Sequence, residues 1–261
     1  MCTIIAKKFP NVGWVGVKNR DRPMATKTAL LRDQEDSVQR VTLMDEMTRW
    51  SEGMNSNGVS IISSSLSLAT NGISKHPSRT GNLIRAALAE KTVEDAVRYL
   101  RDSDVSGCVM IFDKDRLFLI EGKTGKDRTQ VVREITDDWV ARTNHGIWIP
   151  SAGYQKNSSN LILRVRRVSS EARLKIANYI LQTAEKPEDM MPLLAKKWID
   201  NPQLNTIRTP IVDIDTRTTE QLMLNPNNLL MLVRNIDGIL EFNQKDANPA
   251  GSKVLVGIVQ S

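Results

Sequence analysis

Cys2 stands directly behind the initiator methionine, and enzymes that trim the start methionine accept a second side chain this small. A mature chain beginning at Cys2 would carry a thiol and a free α-amine on one residue. An α-amine has a pKa of roughly 8, so near neutral pH part of it is unprotonated and can take the thiol's proton. Nucleophile and base would then share one Cα. Read alone, Met-Cys is better explained as a small apolar residue at the end of a strand; the rest of the chain reverses that. Amide hydrolysis also needs donors that hold the oxyanion. Asp21 could hydrogen-bond the α-amine and keep it aimed at the sulfur. Asn144, in the polar run 141–146, offers a side-chain N–H. On its own Asn144 reads as support for the turn before Gly146.

These residues need elements to bring them together. Residues 3–9 and 12–19 are rich in β-branched and aromatic side chains and predict two strands joined at Pro10-Asn11. An antiparallel hairpin brings its open ends together, so Cys2 and Asp21, just past the second strand, would meet. Residues 53–58 (GMNSNG) predict a turn and residues 59–68 a strand. Leu83, Ile84, Ala87 and Leu88 mark the buried stripe of a helix that starts near Arg79-Thr80-Gly81. Thr92 is a good N-cap for a second helix, with Asp95 completing a capping-box pattern. Val93, Ala96, Val97 and Leu100 then fall at helical spacing. Residues 108–112 and 117–121 predict a hairpin over Asp113-Lys114-Asp115, and 131–135 and 139–142 continue the sheet. A long helix is expected over about 159–184, bent near Ser169-Ser170. A short helix should follow Pro187, limited by Pro192. Strands close the chain at 229–233, 239–242 and 254–259. The order sheet, helices, sheet, helices, sheet predicts an α+β fold. Two mainly antiparallel sheets with helices outside them make a four-layer αββα sandwich. No linker, repeat or low-complexity run divides it, so residues 1–261 read as a single domain.

Composition narrows the function. With 40% hydrophobic and 25% charged residues over 261 positions, the chain suits a globular protein with a sizeable core. No apolar run approaches the roughly 20 residues of a membrane span. Lys7, Lys8 and Pro10 interrupt the opening apolar run, so no signal-peptide layout is present and a cytoplasmic protein is expected. Two cysteines, Cys2 and Cys108, make no disulfide framework, and two histidines, His76 and His145, do not suit a zinc site. Neither a metal nor another cofactor is expected. The net charge of +6 comes from 36 basic residues scattered among 30 acidic ones. Its densest cluster, Arg164, Arg166 and Arg167, lacks interleaved aromatics, which argues against a nucleic-acid partner. A small-molecule amide is the expected partner, and a homo-oligomer stays open.

The series of motifs resembles a known family. Met-Cys-Thr at the start, Asn19-Arg20-Asp21, and Thr143-Asn144 resemble the choloylglycine hydrolase and penicillin V acylase family. They also resemble the related acyl-coenzyme A:6-aminopenicillanic acid acyltransferases. GMNSNGVSI, NLIRAALAEKTVEDAVRYL and SGCVMIFDKDRLFLIEG are similar to segments of these proteins in the same order, and Thr-Asn-His at 143–145 is similar to the acyltransferase branch. The resemblance implies the sandwich of N-terminal nucleophile hydrolases and cleavage or transfer at a linear amide bond. By resemblance Cys2 is the nucleophile, Asp21 positions its amine and Asn144 completes the oxyanion hole. Arg164 falls where the family has an arginine near the site, with Arg166 or Arg167 as alternatives; Lys18, Arg20, Ser65 and His145 are the expected substrate-binding residues.

Two departures stand out. The family's arginine three positions before the aspartate is Lys18 here. Arg20 could compensate, but its side chain is expected to face the other way along the strand. Ser65 stands near the position of a second oxyanion asparagine, where a hydroxyl or backbone N–H could donate. Loops at 22–37 and 146–158 are expected to shape the substrate pocket. Two further readings share parts of the pattern. A class II amidotransferase glutaminase also opens with Met-Cys, but its usual third residue is glycine, and convincing Arg-Tyr-x-Thr and His-Asn-Gly segments are missing here. A non-catalytic Asn-Arg-Asp-Glu protein is the other, with Arg22 in place of the glutamate.

Overall fold

The computed structural model of the chain describes residues 2–22, 28–46, 48–66, 77–124, 128–195, 217–235 and 238–243. Met1, His76, the end of the expected strand 59–68 and the expected strand 254–259 lie outside the described residues. In chain order the strands are β1 (Cys2–Phe9), β2 (Gly13–Arg22), β3 (Thr28–Glu35), β4 (Val38–Asp45), β5 (Ser51–Asn55) and β6 (Ser60–Ser64). Helices α1 (Pro77–Ala87) and α2 (Val93–Arg101) follow. Then come β7 (Gly107–Phe112), β8 (Leu117–Lys123), β9 (Thr129–Glu134), β10 (Trp139–Arg142), α3 (Leu161–Thr183) and α4 (Pro187–Ala195). The chain returns to β11 (Arg217–Asn225), β12 (Leu230–Asn235) and β13 (Gly238–Asn243).

The strands make two antiparallel sheets, ordered β10-β1-β2-β11-β12-β13 and β3-β4-β5-β6-β7-β8-β9. Alternation along each strand supplies two apolar faces per sheet. Ile4 and Ala6 of β1 meet Met110 and Phe112 of β7 between the sheets, together with Trp14, Ile62 and Leu119. Ile5 of β1 and Val15 and Val17 of β2 point the other way, onto Ala177, Ile180 and Leu181 of α3 and Met190 of α4. Val109 and Ile111 of β7 likewise point outward, onto Ile84 and Leu88 of the first helical segment and Val93, Ala96 and Leu100 of α2. The layers are therefore helix, sheet, sheet, helix, as the sequence predicts. Gly16 permits the close approach between sheets, since a Cβ there would lie 2.5 Å from the Phe112 ring. Among the described residues no helix is long and apolar enough to cross a membrane.

The expected α2 cap is present: the Thr92 hydroxyl accepts from the Asp95 N–H at 3.2 Å, and Val93, Ala96, Val97 and Leu100 are buried. Three local expectations change, and a fourth element, α3, is one continuous helix. Gly53, Met54 and Asn55 belong to β5, and the turn comes after them; a Cβ at Gly53 would lie 2.0 Å from the Val41 carbonyl oxygen, which suits a tight strand approach. Part of the expected loop 22–37 is the strand β3. Helix α3 runs unbroken through Ser169 and Ser170, and α4 continues past position 192. The strand β11 was not legible because Arg217, Thr218, Thr219, Glu220 and Gln221 mask its apolar residues.

The most consequential difference concerns β9 and β10. Neighbours in sequence, they edge different sheets: β9 pairs with β8, whereas β10 pairs with β1 through Ile4 and Arg142, Ile5 and Ala141. The crossing carries the segment after β10 to the start of β1.

Candidate active site

Cys2 opens β1, and Asn144 lies just beyond the neighbouring β10. The Cys2 backbone N–H donates to Asn144 Oδ1 at 2.9 Å. The Asn144 amide is fixed at both ends, because its Nδ2 donates to the Ser65 carbonyl at 2.8 Å. Ser65 therefore meets the cluster through its backbone oxygen. The second Nδ2 hydrogen makes no hydrogen bond among the described residues.

Arg173, on α3, clamps the same point. Its Nη1 donates to the Cys2 carbonyl at 2.6 Å and to Thr3 Oγ1 at 3.1 Å, and its Nη2 donates to Asn144 Oδ1 at 3.1 Å. Asp21 Oδ2 lies 4.0 Å from Nη1, so the carboxylate is linked to the Cys2 backbone through this guanidinium. Asp21 sits inside β2, one register step from the pair Cys2 and Arg20, rather than past its end. The structure thus brings Cys2, Asp21, Asn144 and Ser65 together.

A buried polar group supports Asn144 from behind. Ser170 Oγ accepts from the Asn144 N–H at 3.0 Å and donates to Thr143 Oγ1 at 2.9 Å. Ser64 Oγ donates to the Thr143 carbonyl at 2.8 Å. His145 is buried with its Nδ1 2.8 Å from Ser170 Oγ, in the supporting layer. Burial, with Arg167 next, pushes its pKa down from 6.5 to about 4, so the imidazole is neutral at pH 7. Further along, the buried Glu121 carboxylate accepts from the N–H groups of Ile147, Trp148 and Ile149, the last at 2.7 Å. That contact fixes the loop leaving Asn144.

Lys18 and Arg20 face the space between the sheets. Both reach Glu52: Lys18 Nζ bonds Oε1, and Arg20 Nη2 bonds Oε2 at 2.7 Å. Arg20 also meets Asp45 at 3.1 Å and Glu220 at 3.4 Å. This corrects the expectation that Arg20 faces away from Lys18, since positions two apart on a strand share a face. Burial works against the Arg20 charge, and Glu52, Glu220, Cys2 and Asp45 more than offset it, raising its pKa. Because Cys2 and Arg20 are directly paired across the hairpin, their side chains leave the same face.

Arg164 is not brought to this cluster. It is exposed on the first turns of α3. Nine positions before Arg173, it lies about two and a half turns away, on the opposite face of the helix. Arg167 is held by Glu171 at 2.7 Å and by the Tyr154 carbonyl at 3.0 Å. Arg173 escaped the sequence reading because it stands outside the arginine-rich stretch. The available signal was the pair Ser169-Ser170: small polar residues on an otherwise apolar helix face mark where that face meets polar groups, and Arg173 follows Ser170 by three. Among the described residues no group of three or more acidic, histidine or cysteine side chains could hold a metal ion.

No protein-family model matches the sequence, and no curated protein matches it. Solved structures do. Penicillin V acylase from Agrobacterium tumefaciens matches over 94% of this chain and 87% of its own, at 13% identity and a TM-score of 0.56. A mutant conjugated bile acid hydrolase from Clostridium perfringens matches over 100% of this chain and 97% of its own, at 9% identity and a TM-score of 0.62. A second variant of that hydrolase matches over 99% and 97%, at 10% identity and 0.62. The chain has the fold of these N-terminal nucleophile hydrolases.

Proposed function

We propose that this protein is an amide hydrolase or acyltransferase that uses Cys2 as an N-terminal nucleophile on a linear, non-peptide C–N bond of a small molecule. The observation that carries the reading is the clamp on Cys2: its nitrogen on Asn144 Oδ1 and its carbonyl on Arg173. In the reaction, removal of Met1 converts the Cys2 N–H into an α-amine. Donation of one of its hydrogens to Asn144 leaves the lone pair free to face the sulfur. The amine takes the thiol proton as sulfur attacks the substrate carbonyl. The second Nδ2 hydrogen of Asn144 would donate to the oxyanion. Collapse of the tetrahedral intermediate breaks the C–N bond, and the α-ammonium gives its proton to the departing amine. Water, or an acceptor amine, then attacks the thioester with the α-amine again taking a proton, and the acyl product leaves as sulfur recovers its hydrogen. Asp21, through Arg173, holds the first residue in register with these partners.

A panel of acyl amides followed by mass spectrometry tests this reading. Release of acid or of an exchanged amide by the wild type, and none by Cys2→Ala, is expected. Turnover that survives Cys2→Ala contradicts it.

A further inference from the structure

Where the edge strands β9 and β10 part from each other, they leave a groove of about 410 Å³, closed on one side by Ile147 and Trp148 and on another by Leu174 and Asn178 of α3. That volume falls in the ~300–1,000 Å³ range of small-molecule sites. None of its lining residues belongs to the Cys2, Asn144 and Arg173 cluster. Two guanidinium groups converge on one indole: Arg142 lies 4.7 Å and Arg133 4.9 Å from the Trp148 ring centroid.

Arg142 has only a long ion pair, with the buried Glu121, and Arg133 has none among the described residues. The Arg142 side chain is 9% exposed, and its one hydrogen bond among the described residues runs from Nη1 to the neighbouring Ala141 carbonyl at 2.8 Å. Its Nε is shut off from water with no hydrogen-bond partner among the described residues. Glu121 stands 4.0 Å from that Nε, beyond hydrogen-bond reach, and is committed to three backbone N–H groups. Arg133 is exposed and makes no hydrogen bond or ion pair among the described residues. Of the lining carboxylates, Glu134 is held by Arg116 at 2.8 and 2.9 Å, which leaves Asp137 as the opposing charge. A buried guanidinium with an unmet donor beside a second cation is costly unless an anion completes it. The rest of the lining is mixed, with Thr136 and Asn178 beside the apolar Ile135, Trp139, Val140 and Leu174.

We infer that this groove binds an amphipathic organic acid, its carboxylate against Arg133 and Arg142 and its apolar body along the wall between the sheet edges. The inference stands without the Cys2 chemistry, although such acids are the products that chemistry would release from acyl amides.

Isothermal titration of octanoate, acetate and inorganic phosphate into the full chain tests it. Octanoate should bind saturably. Acetate lacks most of the apolar body and phosphate all of it, so each should bind roughly tenfold or more weakly. Arg133→Gln should weaken octanoate binding roughly tenfold or more without lowering the melting temperature, because the side chain is exposed. Cys2→Ala should bind octanoate like the wild type. Arg142→Gln is a weaker test because that residue is buried, so Arg133 carries it. Absence of saturable binding, equal affinity for phosphate, an unchanged Arg133→Gln, or loss of binding in Cys2→Ala would each overturn the assignment.

Discussion

The two cysteines of this chain occupy matching places and opposite electrostatic surroundings. Both begin or nearly begin a strand, and both side chains leave the face turned toward the other sheet. Cys2 is half-buried, and the residue paired with it across the hairpin is Arg20. Cys108 is fully buried, and the residues paired with it are Ser64 and Glu121. A thiolate at position 2 would face a guanidinium; at position 108 it would be fully buried against a carboxylate that outweighs the nearby Arg142. Burial and then Glu121 push the Cys108 thiol up to about 12, so it stays protonated and acts as a small apolar filler. The same atom type can therefore be a nucleophile candidate or inert packing. Access to solvent, and then the charge of the neighbouring groups, separates the two.

The largest expected effect separates the two directly. Cys2→Ala should reduce turnover below about a thousandth of wild type with the melting temperature preserved, because little buried volume is lost. Iodoacetamide should label Cys2 and spare Cys108 in the folded protein. Labelling of both at similar rates would erase the contrast.

Next in size is the clamp. Arg173→Gln removes the donors to the Cys2 carbonyl and Asn144, and misplacement of the first residue should cost about a hundredfold in kcat. Arg173→Lys should restore part of it, while Arg164→Ala, on the far side of the helix, should stay near wild type. Equal losses from both arginines would remove the special position of Arg173. Cys108→Ala should behave in the opposite sense to Cys2→Ala, keeping kcat while costing about 1–2 kcal/mol in denaturant unfolding.

The smallest effect concerns His145 behind Asn144. Its pKa lies at about 4 in the fold against an ordinary 6.5, so the unfolded chain binds more protons between those values. Its contribution is present above about pH 6.5 and is lost as pH falls toward 4. Melting temperatures across that window should show the loss in the wild type and less of it in His145→Gln.

Much of this was legible before any coordinates. The β1–β2 hairpin, the α2 cap and stripe, and the run Thr143-Asn144 follow from local periodicity and turn chemistry, which act over a few residues. The crossing of β10 to the other sheet was not legible, because β9 and β10 look alike and only long-range packing separates them. Yet that crossing brings Asn144 to Cys2. Arg20 follows the same pattern, because its partners Glu52, Asp45 and Glu220 come from strands distant in sequence. Arg173 lies outside the arginine-dense run 164–167, and geometry selects it because it stands on the helix face marked by Ser170.

The most direct test of the account is peptide mapping of protein quenched in acid during turnover of an acyl amide. The acyl mass should appear as a thioester on Cys2 at the start of a chain that has lost Met1. An acyl group found on another residue, or full activity in protein that keeps Met1, would contradict the account.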